Sequence, residues 1–226
     1  MFARTLRLQR YFSTLLIAES KQGKIHPGNL SALAAAQKLN QPIDILVLDS
    51  DAKDVKLKGD KVDNIFVGNH ELFKTPTADV YAHAVNNFIK QQNKYTHIVS
   101  MDSNWTKDYF PRVAAVNDVQ PVTDIIEILD SSTFRRPIYA GNAIATIKVN
   151  KNPQFLAVRP TNFDPTDKVA AGTIKSVDAG KLLEGLPTNV AKWAGETLKK
   201  SERPDLAQAK IVISGGRGSS VHNMKR

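Results

Sequence analysis

"TPTADVYAHAVNNFIKQQNKYTHIVSM", residues 75–101, sets two periodicities side by side. Thr75 before Pro76 is a good helix start, because the fixed φ of proline suits a first turn and its missing N–H is not needed there. Val80, Ala84 and Phe88 then recur at helical spacing, which predicts an apolar helix face within 75–92. "THIVSM", 96–101, is short and apolar, the pattern of a buried strand. The same alternation extends outward in both directions. Upstream lie the apolar run "STLLIA" (13–18), the alanine-rich "HPGNLSALAAAQKLN" (26–40), and the strand-like "PIDILVLD" (42–49) and "NIFVGN" (64–69). Downstream, "NWTKDYFPRVAAVND" (104–118) reads as a helix that Pro111 is able to kink. Strands alternating with helices predict an α/β fold with a mostly parallel, doubly wound sheet.

After residue 118 the pattern changes. "PVTDIIEILD", "RRPIYAGNAIATIKV" and "PQFLAVRP" follow in close succession, short, β-rich and separated by turn residues. They predict added antiparallel strands, with a bend at Gly141-Asn142. Residues 160–187 are turn-rich and predict a surface wrap. A further helix is expected over 187–200, then a link to a last strand, Ile211-Val212-Ile213, which runs into Ser214-Gly215-Gly216-Arg217-Gly218.

The chain has 226 residues, 42% of them hydrophobic and 23% charged, enough apolar material for a core. It has no cysteine, which excludes disulfides, thiolate zinc sites and a cysteine nucleophile. The net charge of +9 is concentrated at the ends: residues 1–12 contribute +3 through Arg4, Arg7 and Arg10, and residues 216–226 another +3. The body is left mildly basic, which argues against a nucleic-acid partner. The first twenty residues, with arginines three apart and no acid before Glu19, have the character of a mitochondrial transit peptide. No apolar run is long enough to span a bilayer, so no membrane insertion is expected.

Few residues point to chemistry. His26, His70, His83, His97 and His222 lack metal-ligand spacing, and His97, opening a buried strand, reads as structural. There is no nucleophile elbow and no phosphate-binding Walker loop. "LLIAESKQGKIHPGN" is a strand–turn–helix that could take a nucleotide at the strand ends, but it lacks the cradling glycines. In "RRPIYAGNAIA", Arg136 precedes Ile138-Tyr139, which look buried; a tight hairpin and a ligand or partner contact both remain open. "SGGRG" offers main-chain N–H groups to an anion, and Arg217 a planar donor fork suited to a diphosphate.

Taken in order, "STLLIAES", "YTHIVSM", "FPRVAAV", "PVTDIIEI", "RRPIYAGNAIATIK", "FLAVRPTNF" and "SERPDLAQAKIVISGGRG" resemble the alpha subunits of electron transfer flavoproteins, over residues 13–218. Pro137 and Pro160 depart from the family's usual Thr and Gly. The resemblance implies an adenine nucleotide alpha hydrolase-like α/β domain over 13–200, behind a transit peptide at 1–12. Residues 201–226 are then a linker with the first strand and loop of a FAD-binding domain, in which Arg217 and Gly218 would contact FAD.

The family is a heterodimer with a beta subunit in the mitochondrial matrix, and AMP belongs to that beta subunit. It carries electrons from acyl-CoA dehydrogenases and related enzymes to electron transfer flavoprotein–ubiquinone oxidoreductase in fatty acid β-oxidation, as a carrier and not an enzyme. The family's later flavin segments have no counterpart here and "SSVHNMKR" departs from it, so the expected FAD site is incomplete. One strand and a loop cannot enclose a large cofactor. Two alternatives stay open: a scaffold form that contacts beta without holding FAD, and a small nucleotide-binding α/β module.

Overall fold

The computed structural model describes residues 12–21, 23–52, 61–165, 172–188, 191–195, 197 and 211–215. Two compact units divide the chain, Met1–Trp193 and Ala194–Arg226. The first contains, in order, β1 (Ser13–Ala18), the small ribbon β2 (Ser20–Lys21) and β3 (Lys24–Ile25), α1 (Gly28–Gln37), β4 (Ile43–Asp49) and β5 (Val62–Asn69). Next come α2 (Ala78–Gln92), β6 (Tyr95–Met101), α3 (Asn104–Val116), β7 (Val122–Ile125), β8 (Glu127–Ile128) and β9 (Thr133–Ile138). The last are β10 (Ala143–Lys148), β11 (Gln154–Val158), β12 (Thr173–Ser176) and α4 (Ala179–Leu182).

β1 and β4 are buried at every residue, because helices and loops cover both faces of the sheet. The central sheet has the order β12-β5-β4-β1-β6-β11-β7 and every pairing in it is parallel. Alternation along β1 sends Leu16 and Ala18 to one face, with Ala32, Leu33 and Ala36 of α1, Phe134 and Phe163. Leu15 and Ile17 face the other way, onto α2, α3 and α4. On that side Val80, Ala84 and Phe88 are buried, as their spacing predicts, and Phe88 meets Phe66 edge-on at 5.0 Å. The helix begins at Ala78, just past the Thr-Pro pair, and ends on Asn93 in a left-handed conformation. α3 runs through Pro111, whose side is exposed.

The region after residue 118 meets the antiparallel expectation in part. Only β8, β9 and β10 form an antiparallel sheet. β11 inserts parallel between β6 and β7, with Leu156 opposite both Val99 and Val122. All five β11 residues are buried, and after Gln154 the strand is apolar on both faces, which fits the interior of a covered sheet. The turn-rich 160–187 region supplies a strand that its composition hides: β12 pairs with β5 at the opposite edge. The helix expected over 187–200 is absent from its described residues; Ala191–Gly195 are exposed, and a segment of that length needs a packed face to stay helical. In the second unit Ile211, Val212 and Ile213 are exposed and belong to no strand.

His97 closes the end of the sheet where β6 begins. It is buried, its Nε2 donates to the Ser131 carbonyl at 2.7 Å, and its Nδ1 accepts from the Thr96 hydroxyl at 2.9 Å. Burial pushes its pKa below the ordinary imidazole value, opposed in part by the bond to Ser131. The native imidazole therefore stays neutral where the unfolded one takes a proton. Stability is full above about pH 6.5 and falls with acidification toward the lowered native value, by up to about 1.4 kcal/mol per pH unit. Urea unfolding at pH 7.5 and 5.5 tests this; His97→Gln removes this part of the pH dependence, and an unchanged slope in that variant would discard the assignment.

Candidate functional site

In open α/β sheets ligands bind beyond the strand ends where the crossovers reverse direction. Here that point lies between β1 and β6. β1 leads into Glu19, and β6 into Asp102 and Ser103, the cap of α3, whose hydroxyl accepts from Thr106 N at 3.0 Å. The Ser103 hydroxyl donates to Glu19 Oε2 at 2.7 Å. The buried Asn29 side chain receives Glu19 N at 3.0 Å and donates to the carbonyls of Glu19 and His26, both at 2.8 Å. These bonds tie Glu19 and His26 to the start of α1. A Cβ on Gly28 would lie 2.9 Å from Met101 Sδ, so the thioether already occupies that approach.

Most polar groups of this crevice are therefore committed to one another, although Asp102 Oδ1 is buried without a hydrogen bond. Asp102 Oδ2 accepts from Asp124 N at 2.8 Å and Oδ1 faces Lys107 Nζ at 3.1 Å. Asp49, also buried, accepts from the backbone of Gly23 and Ser50. Behind them Tyr109 shares a hydrogen bond with Ser100 at 3.1 Å, and burial pushes its phenol pKa up, so it stays protonated. Carboxylates at the strand ends repel a phosphate, the reverse of what a nucleotide needs. Among the described residues no cluster of three metal-ligating side chains occurs.

The second site is built by the β9–β10 hairpin. Its inner face carries Phe134, Arg136 and Ile138 opposite Ile147, Ala145 and Ala143. Phe134 is fully buried and fastens the root of the hairpin to the core, while toward the tip the same face lifts away. Beneath it a groove of about 510 Å³ is lined by Asp124, Arg136, Pro137, Tyr139, Gly141 and Arg159. Another, of about 400 Å³, lies between residues 118–122 and 147–153, with Arg136 again in its wall.

The tip is backbone-strained. Tyr139 and Ala140 have φ of 51° and 54°, uncommon for residues with a side chain, and Gly141 follows at 92°. This turn swings the Tyr139 ring outward to 79% exposure, contrary to the expectation of a buried tyrosine. Ile144, on the outer face, is 61% exposed.

The sequence singles out Arg136 but not Arg159 or Asp124, which reach the groove from β11 and β7. Arg159 Nε and Nη2 both lie 2.9 Å from Asp124 Oδ1. No local pattern joins residues 35 apart; the pairing of β7 with β11 does. Residues 1–11, which hold most of the expected transit peptide, and the expected FAD contacts Arg217 and Gly218 lie outside the described residues. Ser214 and Gly215, just before those contacts, are exposed.

Residues 14–182 match the electron transfer flavoprotein domain. The chain is 34% identical over 233 residues to the mitochondrial electron transfer flavoprotein subunit alpha of Arabidopsis thaliana, covering 96% of this chain and 64% of that one. The corresponding protein of Dictyostelium discoideum is 36% identical, with 94% and 64% covered. A probable mitochondrial alpha subunit of Saccharomyces cerevisiae is 35% identical, with 92% and 62% covered. The chain thus spans just under two thirds of the length of these curated relatives. A parallel α/β domain of this kind, matched over three quarters of its length, defines the class: the chain belongs to the electron transfer flavoprotein family, on its alpha-subunit branch. Its relatives are named as mitochondrial, and the chain shares that location. Among the described residues no helix is long and apolar enough to cross a membrane.

Proposed function

We propose that the chain works as the alpha subunit of an electron transfer flavoprotein, paired with a beta subunit in the mitochondrial matrix. In this role it carries electrons, through FAD, from acyl-CoA and related dehydrogenases to electron transfer flavoprotein–ubiquinone oxidoreductase in fatty acid β-oxidation. The first unit acts as scaffold and docking domain, and AMP is held by beta. The carrying observation is the self-filled crevice: with Glu19, Asn29 and Met101 closing the usual ligand position, this unit works by the surfaces it presents. The exposed hairpin, with its aromatic tip, is the best such surface.

FAD, when bound, supplies the ring system that accepts and releases electrons. Arg217 would donate charged hydrogen bonds to its diphosphate, and Gly218 would leave the main chain open beside it.

Size-exclusion chromatography of the chain mixed with the beta subunit and FAD tests the reading. Co-elution with beta is expected, and separate elution at micromolar concentration would overturn it. In a form that carries a whole FAD-binding domain, Arg217→Ala lowers the retained flavin absorbance, while in the 226-residue chain it changes nothing measurable; an unchanged flavin content in the longer form would remove Arg217 from the site. AMP added to the isolated chain gives no saturable micromolar binding, and a clean isotherm would favour a nucleotide-binding module instead.

A further inference from the structure

Two arginines, Arg136 and Arg159, line the hairpin groove, a third, Arg135, lies on the opposite face of the hairpin, and the three are not equivalent. Arg135 Nη1 lies 2.8 Å from Glu127 Oε2, and Arg159 is held by Asp124. No ion pair or hydrogen bond among the described residues reaches the Arg136 guanidinium, and its Nε is buried without an acceptor. Buried donors are nearly always satisfied, so an orphan on a permanent cation calls for an explanation. The strand register holds it in place: Phe134, two residues earlier on the same face, is locked in the core, and Ala145 opposite is too small to cover it. The guanidinium is thus set in the wall of two open grooves.

We propose that this groove receives a carboxylate side chain from the docked partner subunit, with Arg136 as its anchor. The inference rests on the reading that the hairpin is the docking face. Charge complementarity supports an acidic occupant: residues 133–148 contain Arg135, Arg136 and Lys148 and no acid. The only acid lining the groove below the tip, Asp124, is already committed to Arg159. Tyr139 and Ile144 beside it are apolar surface that a covering protein chain would bury, which a free anion would not do. A partner that lies over the tip while passing one aspartate or glutamate beneath it satisfies both. Such an arginine, desolvated within an apolar rim, is the usual form of a binding hot spot.

The test is titration of the full chain with the beta subunit by calorimetry, for four forms. Arg136→Gln is expected to raise Kd by about tenfold or more and to flatten its salt dependence. Arg136→Lys keeps the charge but loses the fork, and falls between that and the wild type. Ile144→Asp places an acid on the docking face outside the groove and weakens binding through the apolar contact. Wild-type affinity in both Arg136 variants, with Ile144→Asp impaired, overturns the carboxylate anchor and leaves the docking face standing. Wild-type affinity in all three overturns the docking face itself. If the Arg136 variants do not fold, exchange of arginine Nε–H groups in the wild-type complex decides. One additional protected Nε–H on binding supports the anchor, and none overturns it.

Discussion

Phe134→Ala is expected to lower the free energy of unfolding by about 3–5 kcal/mol. Phe134 is fully buried and is among the largest side chains in the core. It packs in the cluster that includes Val122, Ile125, Ile128 and Leu156, so it joins the antiparallel sheet to the parallel one. Truncation loses the transfer energy of the ring and leaves a cavity that main-sheet strands on one side and the hairpin on the other cannot both close. The effect has a second part: with its root loosened the hairpin no longer holds Arg136 in place, so affinity for the beta subunit falls as well. Urea unfolding reads the first part and calorimetric titration the second. A loss of stability below about 1 kcal/mol would show that Phe134 does not couple the two sheets.

Asp44→Ala should cost about 2–4 kcal/mol. Asp44 is 2% exposed at the start of β4. Its Oδ1 accepts from Asn64 Nδ2 at 2.7 Å, and its Oδ2 from Tyr95 OH at 2.9 Å and Lys94 Nζ at 2.5 Å. Removing it leaves the Tyr95 phenol without an acceptor; burial, reinforced by the Asp44 carboxylate, keeps that phenol protonated, its pKa well above the usual range. The Lys94 ammonium loses its counter-charge, though it is partly exposed and lies 5.3 Å from the Tyr95 ring centre, which softens the loss. Asp44→Asn keeps one acceptor and should cost less. Denaturant midpoints of the two variants check the order, and equal stability of Asp44→Ala and wild type would mean that the network contributes nothing net.

Much of the fold is legible in the sequence because its information is local. The spacing of Val80, Ala84 and Phe88 marks α2, and the runs at 13–18, 42–49 and 96–101 mark central strands, since each pattern reports what one segment must bury. The strand β12 escapes the same reading: Thr173–Ser176 are exposed, and only pairing with β5 makes them a strand. Likewise β11 has the same apolar composition in a parallel or an antiparallel place, and β6 and β7 on either side decide between them.

The candidate site divides in the same way. By itself the sequence determined the α/β alternation, the family, and the unusual character of "RRPIYAGNA", because periodicity, ordered motifs and glycine placement are properties of contiguous residues. Tertiary structure alone decided that Glu19, Asn29, Met101 and Ser103 fill the ligand crevice, for they come from segments up to 84 residues apart. It alone decided that Arg135 and Arg159 are paired while Arg136 is not. Whether a charge is satisfied depends on which neighbours the fold brings within hydrogen-bond reach, and strand order, not spacing along the chain, sets those distances.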